Sequence, residues 1–302
     1  MQAVATRSRI QIKNVLFATD FSEASHNPLA FAVAMARGYG ATIHALHVVT
    51  PEAYLYATPE NAAAFEEMEE SLESEMAKVS AGLSGVPNET AIERSVSVLA
   101  AVEDCIEKNH IDLVVVGTQG HTGVRKLLMG STAEAIFRHA RVPVLTIGPS
   151  VREGIHNGGK FRSVLFATDL TEISLAAASF AFSIAEDNDA KLTLLHVAHR
   201  QSAKDAEPQA ASARIASAAD IMHILHEMIP VDSDLWSRPE VVLKFGEPAK
   251  QILETATERA ADLIVLSPRS VKGPLAAATH LSKGVSYNVA IRSRCAVLTV
   301  RG

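Results

Sequence analysis

Three glycines and two hydroxyl side chains near the middle of the chain have the spacing of a phosphate-binding loop. Gly117 ends a short apolar run, Gly120 follows three residues later, and nine further residues separate it from Gly130, Ser131 and Thr132. Glycine leaves room for a ligand beside the backbone, and the amides at the start of a helix attract anions. The pattern favours a phosphate-binding site, with a glycine-rich turn before an ordinary serine N-cap as the alternative.

The loop inside this pattern holds the side chains that could act on a bound phosphate group. A catalyst would need a positioned base or a metal ligand, and the loop offers His121, Thr122, Arg125 and Lys126 for these roles. His121 has no metal partner at a recognisable spacing. Arg125 and Lys126 could instead approach phosphate oxygens. The loop therefore predicts binding with weak or absent turnover and no protein-held metal.

The two halves of the chain repeat each other. The letters VLFATD at residues 15–20 return at residues 164–169, and LHV at residues 46–48 returns at residues 195–197, both at an offset of 149 in a chain of 302 residues. A repeat of this length is a whole domain, and each half is long enough for a hydrophobic core of its own. We expect one domain over residues 1–150, a glycine-rich linker, and a second domain over residues 160–302.

Short apolar runs alternate with longer amphipathic stretches in both halves, as in α/β proteins. Strands separated by helices are joined by right-handed crossovers into a parallel sheet, and such sheets bind ligands beyond the carboxyl ends of their strands. We therefore expect two tandem five-stranded parallel-sheet domains of Rossmann-like or flavodoxin-like type. The predicted strands span residues 15–18, 43–49, 91–96, 113–116 and 144–147, and then residues 164–168, 192–197, 241–245, 263–266 and 297–300.

The composition argues against several classes of partner. The net charge of −6 and the pI near 6.1, without a cluster of basic residues, disfavour nucleic acid and an anionic membrane surface. The two cysteines show no disulfide or metal-binding spacing, which fits a reducing compartment. No apolar run approaches the roughly 20 residues of a membrane span, and the first residues lack the apolar segment of a signal peptide. We expect a soluble, cytoplasmic protein.

Three motifs give the first half a resemblance to the universal stress protein family: VLFATDFS at residues 15–22, LHVV at residues 46–49, and the pattern G-x2-G-x9-G-S over residues 117–131. The second half is similar with fewer matches, so the resemblance covers nearly the whole chain. In this family the glycine pattern marks ATP-binding members. The resemblance therefore implies an ATP-binding protein with a signalling or stress-response role, and Mg²⁺ as an optional companion of the nucleotide.

The resemblance also implies which residues contact the nucleotide. Asp20 would lie near the ribose and adenine side, and the backbone of Val48 would meet adenine. His121 would flank the path of the phosphates. The residues implied around the ribose and phosphates are Gly117, Gly120, Gly130, Ser131 and Thr132.

Several of these residues also have a structural interpretation. Asp20 follows a strand and precedes a helix, so it could cap that helix, for which Ser22 is the predicted N-cap. The side chain of Val48 is expected in the core. His47 and His196 recur at the ends of buried strands, where a hydrogen bond to a loop is a more common role than catalysis.

The second half departs from the family at the glycine pattern. After the fourth apolar run it reads SPRS at residues 267–270 in place of the first two glycines, while Asp169 and Val197 persist. Conversely, GEP at residues 246–248 is typical of the family but has VSV at residues 96–98 as its counterpart in the first half. We expect one competent ATP site, in the first half, and a degenerate or repurposed site in the second.

Two other functions stay open from the sequence. A slow ATPase or adenylylating enzyme would use the same pocket, and a structural or interaction protein without nucleotide would make the glycine pattern incidental. The resemblance further implies that the two halves pack as a pseudo-dimer through their last strands, because an unpaired apolar edge strand promotes association. A homodimer of whole chains is a further option.

Overall fold

The computed structural model describes residues 9–51, 62–119, 129–151, 160–198, 208–231, 233–268 and 284–301. The chain divides into two compact units. The first unit runs from Gln11 to Lys160, and the second comprises the chain from Phe161 onwards together with the N-terminal residues up to Ile10. Each unit therefore contains one copy of the sequence repeat.

In the first unit, the described residues form a parallel sheet with the strand order β3-β2-β1-β4-β5. A single 3₁₀ turn, Glu23–Ser25, precedes the first helix. The elements are β1 (Asn14–Ala18), α1 (His26–Tyr39), β2 (Thr42–Val49), α2 (Ala62–Gly82), β3 (Asn88–Arg94), α3 (Val98–Lys108), β4 (Leu113–Gly117), α4 (Ser131–His139) and β5 (Val144–Ile147).

The second unit repeats this plan with the strand order β8-β7-β6-β9-β10, again parallel. The predicted α/β fold with parallel sheets is confirmed. Among the described residues, no helix has the length and apolar composition needed to cross a membrane. The elements are β6 (Ser163–Thr168), α5 (Glu172–Asn188), β7 (Lys191–Ala198), α6 (Pro208–Glu227), β8 (Glu240–Phe245), α7 (Pro248–Glu258), β9 (Leu263–Leu266), α8 (Val285–Arg292) and β10 (Ala296–Thr299).

The sequences of the strands and helix ends explain these elements. Val15, Leu16 and Phe17 in β1 are at most 1% exposed, as expected for a central parallel strand that is covered on both faces. Helix α1 ends at Gly40, which adopts the left-handed conformation with a φ of 66°. Glycine reaches this conformation without steric cost, so it stops the helix where β2 must begin.

Two boundaries differ from the prediction. β3 covers Asn88–Arg94 instead of residues 91–96, because its pairing with β2 ends at Arg94 and the chain then turns towards α3. The first helix does not begin at Ser22, since a 3₁₀ turn intervenes and α1 starts at His26. Ser22 makes no side-chain capping bond, and its hydroxyl donates to Asp20 instead.

A half-buried carboxylate stabilises the start of the first strand in each unit. Asp112, before β4, accepts hydrogen bonds from the two amides that lead into β1, at 2.7 and 3.0 Å. Asp262, before β9, does the same for the two amides that lead into β6, at 2.7 and 3.1 Å. Burial raises the pKa of the Asp262 carboxyl, and the amide hydrogen bonds oppose that rise. The duplication thus extends to individual hydrogen bonds.

Two N-terminal residues belong to the second unit through contacts with α5. The amide of Ile10 donates to Ser183 Oγ at 3.2 Å, and Arg9 Nε donates to Asp187 Oδ1 at 2.9 Å. The Asp187 side chain is only 14% exposed, whereas that of Arg9 is 73% exposed. The second unit is therefore built from residues at both ends of the chain.

Candidate functional site

The structure places the described site residues along one edge of the first sheet. β2, β1 and β4 are neighbours, so their carboxyl ends lie side by side, about 5 Å apart from strand to strand. Val48 lies at the end of β2, Asp20 follows β1, and Gly117 ends β4. Gly130 directly precedes α4, whose first residues are Ser131 and Thr132. Three further predicted contacts lie outside the described residues: Gly120, His121 and Arg125.

Asp20 organises the turn after β1. Its Oδ1 atom accepts hydrogen bonds from the amide of Ser22 at 3.0 Å, from the hydroxyl of Ser22 at 2.6 Å and from the hydroxyl of Ser25 at 2.9 Å. Phe21, between them, adopts a left-handed φ of 62°. The carboxylate offsets the cost of that conformation by holding the turn that follows. The structural role left open by the sequence is thus present, and a ribose contact stays a prediction.

Val48 is half-buried, so the expectation that its side chain lies in the core is wrong. β2 continues past the end of β1 and is covered on fewer sides there. The carbonyl of Leu46 accepts from Thr19 on the β1 side at 3.0 Å, whereas the carbonyl of Val49 accepts from Ser95 on the β3 side at 3.1 Å. Along a strand, the backbone groups of successive residues point alternately to the two neighbouring strands. The N–H and C=O of Val48 therefore point to the same side as those of Leu46, towards β1. Because β1 ends at Ala18, which is paired with Leu46, no residue of β1 pairs with Val48.

The repeated histidines support loops. His47 Nδ1 lies 2.9 Å from the carbonyl oxygen of Thr19, and His196 Nδ1 lies 2.9 Å from the carbonyl oxygen of Thr168. A carbonyl only accepts, so Nδ1 is the donor in both cases. The ring of His47 also stacks on Phe21, with ring centroids 4.1 Å apart. The predicted structural role of these histidines is confirmed.

Gly117 lies in close contact with neighbouring protein atoms. A Cβ at this position would lie 3.1 Å from Pro28 Cγ and 3.4 Å from the carbonyl oxygen of Gln119. Such distances are tighter than ordinary van der Waals contact, so a side chain here would push against the start of α1. Gly117 therefore has a packing role among the described residues, and its contact with a nucleotide stays a prediction.

Gly130 has no such requirement. Its φ of −60° and ψ of 150° suit any residue, and the described atom nearest to an added Cβ is the carbonyl oxygen of Thr118, at 3.9 Å. The Gly130 amide donates to that same oxygen at 2.9 Å, which closes the two ends of the loop. Helix α4 has no side-chain N-cap bond, and Ser131 and Thr132 are exposed. Among the described residues, no side chain caps the helix amides and no atom lies closer than 3.9 Å to a Cβ added at Gly130.

The corresponding edge of the second unit retains the turn after its first strand and the glycine before its last helix. Asp169 Oδ1 accepts from the Thr171 amide at 3.2 Å and from its hydroxyl at 2.6 Å, and Leu170 repeats the left-handed φ of 62°. Ser267 stands at the position of Gly117. Gly284 precedes α8 as Gly130 precedes α4, with a φ of −56°, a ψ of 168° and no described atom within 4 Å of an added Cβ. The segment before α8 is longer than the segment before α4. Gly284 therefore does not lie at the constant offset of the sequence repeat, and the repeat did not predict it.

The described residues offer little reactive chemistry. Both cysteines are buried and unpaired, and burial raises the pKa of Cys295 to about 11 and also raises that of Cys105. Neither thiol is therefore a nucleophile at neutral pH. Within the described ranges there is no group of three or more histidine, cysteine, aspartate or glutamate side chains that could hold a metal ion.

Comparisons with known proteins agree with this fold. The family model for the universal stress protein family matches residues 11–148 and residues 160–301. Universal stress protein A homolog 1 of Coxiella burnetii is 37% identical over 142 residues, which are 45% of this chain and 95% of that protein. A universal stress protein of Methanocaldococcus jannaschii is 27% identical over 146 residues, which are 47% of this chain and 85% of that protein.

A solved structure extends the similarity to the whole chain. The crystal structure of a universal stress protein from Archaeoglobus fulgidus shares the fold over 97% of both chains, with a TM-score of 0.67 and 21% sequence identity. Each of the two relatives matches less than half of this chain, whereas the family model matches the chain twice. The chain therefore belongs to the universal stress protein family and carries the family's domain in two copies.

Proposed function

We propose that the first unit binds ATP at the edge formed by β2, β1 and β4, and that binding, without efficient turnover, serves a signalling or stress-response role. The main support for this proposal is the environment of Gly130. Neither its backbone angles nor its described neighbours require glycine, yet it stands at a helix N-terminus without a side-chain cap. A residue without a side chain keeps the space before the helix amides open for an anion.

The adenine end of the proposed site uses the backbone of β2. Val48 directs an adjacent N–H donor and C=O acceptor past the end of β1, and adenine carries a neighbouring donor and acceptor on its edge. Asp20 follows β1, which lies between β2 and β4 in the sheet. We therefore propose that the ribose lies beside Asp20. A backbone donor and acceptor select the base by hydrogen bonding, and they tolerate a change of side chain at the same position.

The phosphate end of the proposed site lies at α4. The amides and hydroxyls of Ser131 and Thr132 are exposed at the helix start, where the helix dipole favours negative charge. Gly120, His121 and Arg125 are proposed as additional phosphate contacts from the loop. Any Mg²⁺ would then be held mainly by the phosphates, since the described residues form no metal-binding group.

We expect weak turnover because the described side chains at this edge that could act as a base are already engaged in other contacts. His47 is held by the carbonyl of Thr19 and stacked on Phe21, and Asp20 holds the turn before α1. A general base must be free to reach the attacking water. The slow ATPase that the sequence leaves open would have to draw its base from the loop between Gly120 and Gly130, and no described residue favours it.

Gly130 and Gly284 provide a matched pair for testing the proposal. Both precede a helix in extended conformations that valine adopts readily, and no described atom lies closer than 3.9 Å to an added Cβ. Both valine variants should therefore fold with the stability of the wild type. In calorimetric titrations of the full chain with ATP, Gly130→Val should weaken binding by about tenfold or more, because its methyl groups occupy the phosphate space.

The same titrations contain the control. Gly284→Val should leave ATP affinity unchanged, and the wild type should bind one ATP per chain. Unchanged affinity in Gly130→Val would contradict the proposal, as would an equal loss in both variants or two equivalent sites per chain.

A further inference from the structure

The outermost strand of the second sheet, β8, has one edge that no described strand covers. β8 stands at the end of the strand order and, among the described residues, pairs with β7 alone. The amide of Gly246 donates to the carbonyl of Ala198 in β7 at 3.1 Å, and backbone groups alternate along a strand. The N–H and C=O groups of Val241, Leu243 and Phe245 therefore point away from β7. Backbone groups at such an edge can pair with a further strand.

Exposed apolar side chains are concentrated between the end of α6 and the end of β8. Among the described residues, six large apolar side chains are exposed, and four of them belong to this segment: Ile224, Val231, Trp236 and Phe245. Phe245 is the last residue of β8, and Trp236, which is 74% exposed, lies four residues before the strand. Exposed apolar side chains beside an open strand edge indicate an interaction surface.

The charges of β8 are complementary to those of a second, antiparallel copy of the same strand. Glu240 and Lys244 lie at equal distances from Val242 along the strand. When two copies pair about a twofold axis at Val242, Glu240 of each copy lies opposite Lys244 of the other. In this register the outward-pointing backbone groups of Val241 also meet those of Leu243, so they can form hydrogen bonds. Charge and backbone pairing therefore favour the same register.

Both charged side chains of β8 have partners within the chain and are still accessible. Lys244 Nζ lies 3.1 and 3.4 Å from the two carboxylate oxygens of Glu258, and Arg259 Nε donates to Glu240 at 2.7 Å. The Lys244 side chain is 31% exposed and that of Glu240 is 47% exposed. Across the paired strands these ion pairs would join into a network of alternating charge. Such a network contributes more than isolated surface pairs.

The outermost strand of the first sheet, β3, has the opposite pattern. Glu93 stands at the position of Lys244, because both residues pair with the last residue of the repeated LHV motif. Ala91 correspondingly stands at the position of Val242. An antiparallel pair of β3 strands centred on Ala91 would place Glu89 of each copy opposite Glu93 of the other. Like charges that face each other across strands are destabilising, so this edge disfavours the pairing that β8 favours.

We propose that the chain forms a homodimer in which the β8 strands of two copies pair in antiparallel orientation about a twofold axis at Val242. In this register, Phe245 of each copy lies opposite Pro239 of the other, three residues from Trp236, so exposed apolar surface is covered beside the paired strands. Proline lacks an N–H group, so Pro239 also limits the length of the hydrogen-bonded ladder. The surface belongs to the second unit and shares no residue with the proposed ATP site.

The most direct test is a disulfide bond across the twofold axis. The two central residues of this register have Cα atoms about 4.5 Å apart, which suits a disulfide. When the full chain is oxidised mildly with diamide, Val242→Cys should form a covalent dimer on non-reducing electrophoresis. Ala91→Cys, at the matched position of β3, is the control and should stay monomeric, although Ala91 is the more exposed of the two residues. Both natural cysteines are buried.

Lys244→Glu tests the charge complementarity without an added cysteine. In sedimentation velocity experiments, the wild-type chain should show a monomer–dimer equilibrium. Lys244→Glu should weaken dimerisation by about tenfold or more, because two contacts between opposite charges become contacts between like charges. Lys250→Glu is the control, since Lys250 is exposed on α7 and also lies near a helix glutamate, Glu254, at 3.8 Å. It makes the same change in net charge and should alter dimerisation by less than about twofold.

Three results would overturn the proposal. The first is a wild-type chain that stays monomeric at hundreds of micromolar. The second is an equal yield of covalent dimer in Val242→Cys and Ala91→Cys, which would indicate random collisions. The third is an equal effect of Lys244→Glu and Lys250→Glu on dimerisation, which would indicate a different interface or a response to net charge alone.

Discussion

The turn after the first strand is nearly identical in the two units, whereas the region after the fourth strand is not. Phe21 and Leu170 share the same left-handed φ of 62°, and Asp20 and Asp169 each hold the following turn through one carboxylate oxygen. A non-glycine residue in this conformation costs about 1 kcal/mol or more. Because both units retain the strain and its compensation, although one has lost the glycine pattern, these features are requirements of the fold.

The region after the fourth strand shows that glycines of one motif have different roles. Gly117 packs against Pro28, and its counterpart Ser267 has a buried hydroxyl without a hydrogen-bond partner among the described residues. Gly130 and Gly284 each precede a helix that has no side-chain capping bond from the described residues. The sequences of the two units therefore differ at Ser267 and in the loop that follows, and under the proposed function a helix start without a side-chain cap is not sufficient for ATP binding.

The largest effect on stability is expected from Gly117→Val. The added Cβ would lie 3.1 Å from Pro28 Cγ, and the two further methyl groups must displace the start of α1. Overpacking of this kind costs about 1 to 3 kcal/mol of unfolding free energy. Urea denaturation followed by circular dichroism measures the loss.

Ser267→Val is the matched control for this prediction. It removes a buried hydroxyl that has no described partner, at a position where the second unit already holds a side chain. We expect a change of less than about 1 kcal/mol. If Gly117→Val were as stable as Ser267→Val, the packing role assigned to Gly117 would be wrong.

A smaller difference is expected between Asp20→Ala and Asp169→Ala. From the described residues, Oδ1 of Asp20 accepts three hydrogen bonds, and Oδ1 of Asp169 accepts two, both from Thr171. Loss of such a partly buried turn-holding carboxylate costs about 1 to 2 kcal/mol. Thermal unfolding should show a decrease for both variants that is larger for Asp20→Ala. If the unfolding temperature decreased in only one of the two variants, the claim that this turn is required by the fold of both units would be wrong.

The positions of the strands could be predicted from the sequence, whereas several details of the site could not. Buried parallel strands are continuous apolar runs, so β4 and β5 could be placed to within one residue. The half-buried position of Val48 depends on how far β2 extends beyond β1, which no local pattern encodes. The role of Gly117 depends on Pro28, which lies 89 positions earlier in the chain.

Amide hydrogen exchange with and without ATP tests the central claim most directly. ATP should slow exchange at the start of α4, at residues 131–133, and at Val48, because the phosphates and adenine would cover these amides. The start of α8, at residues 285–287, and Val197 should exchange at the same rate with and without ATP. Protection at α8 and Val197 equal to that at α4 and Val48, or no protection at α4, would contradict a single ATP site in the first unit.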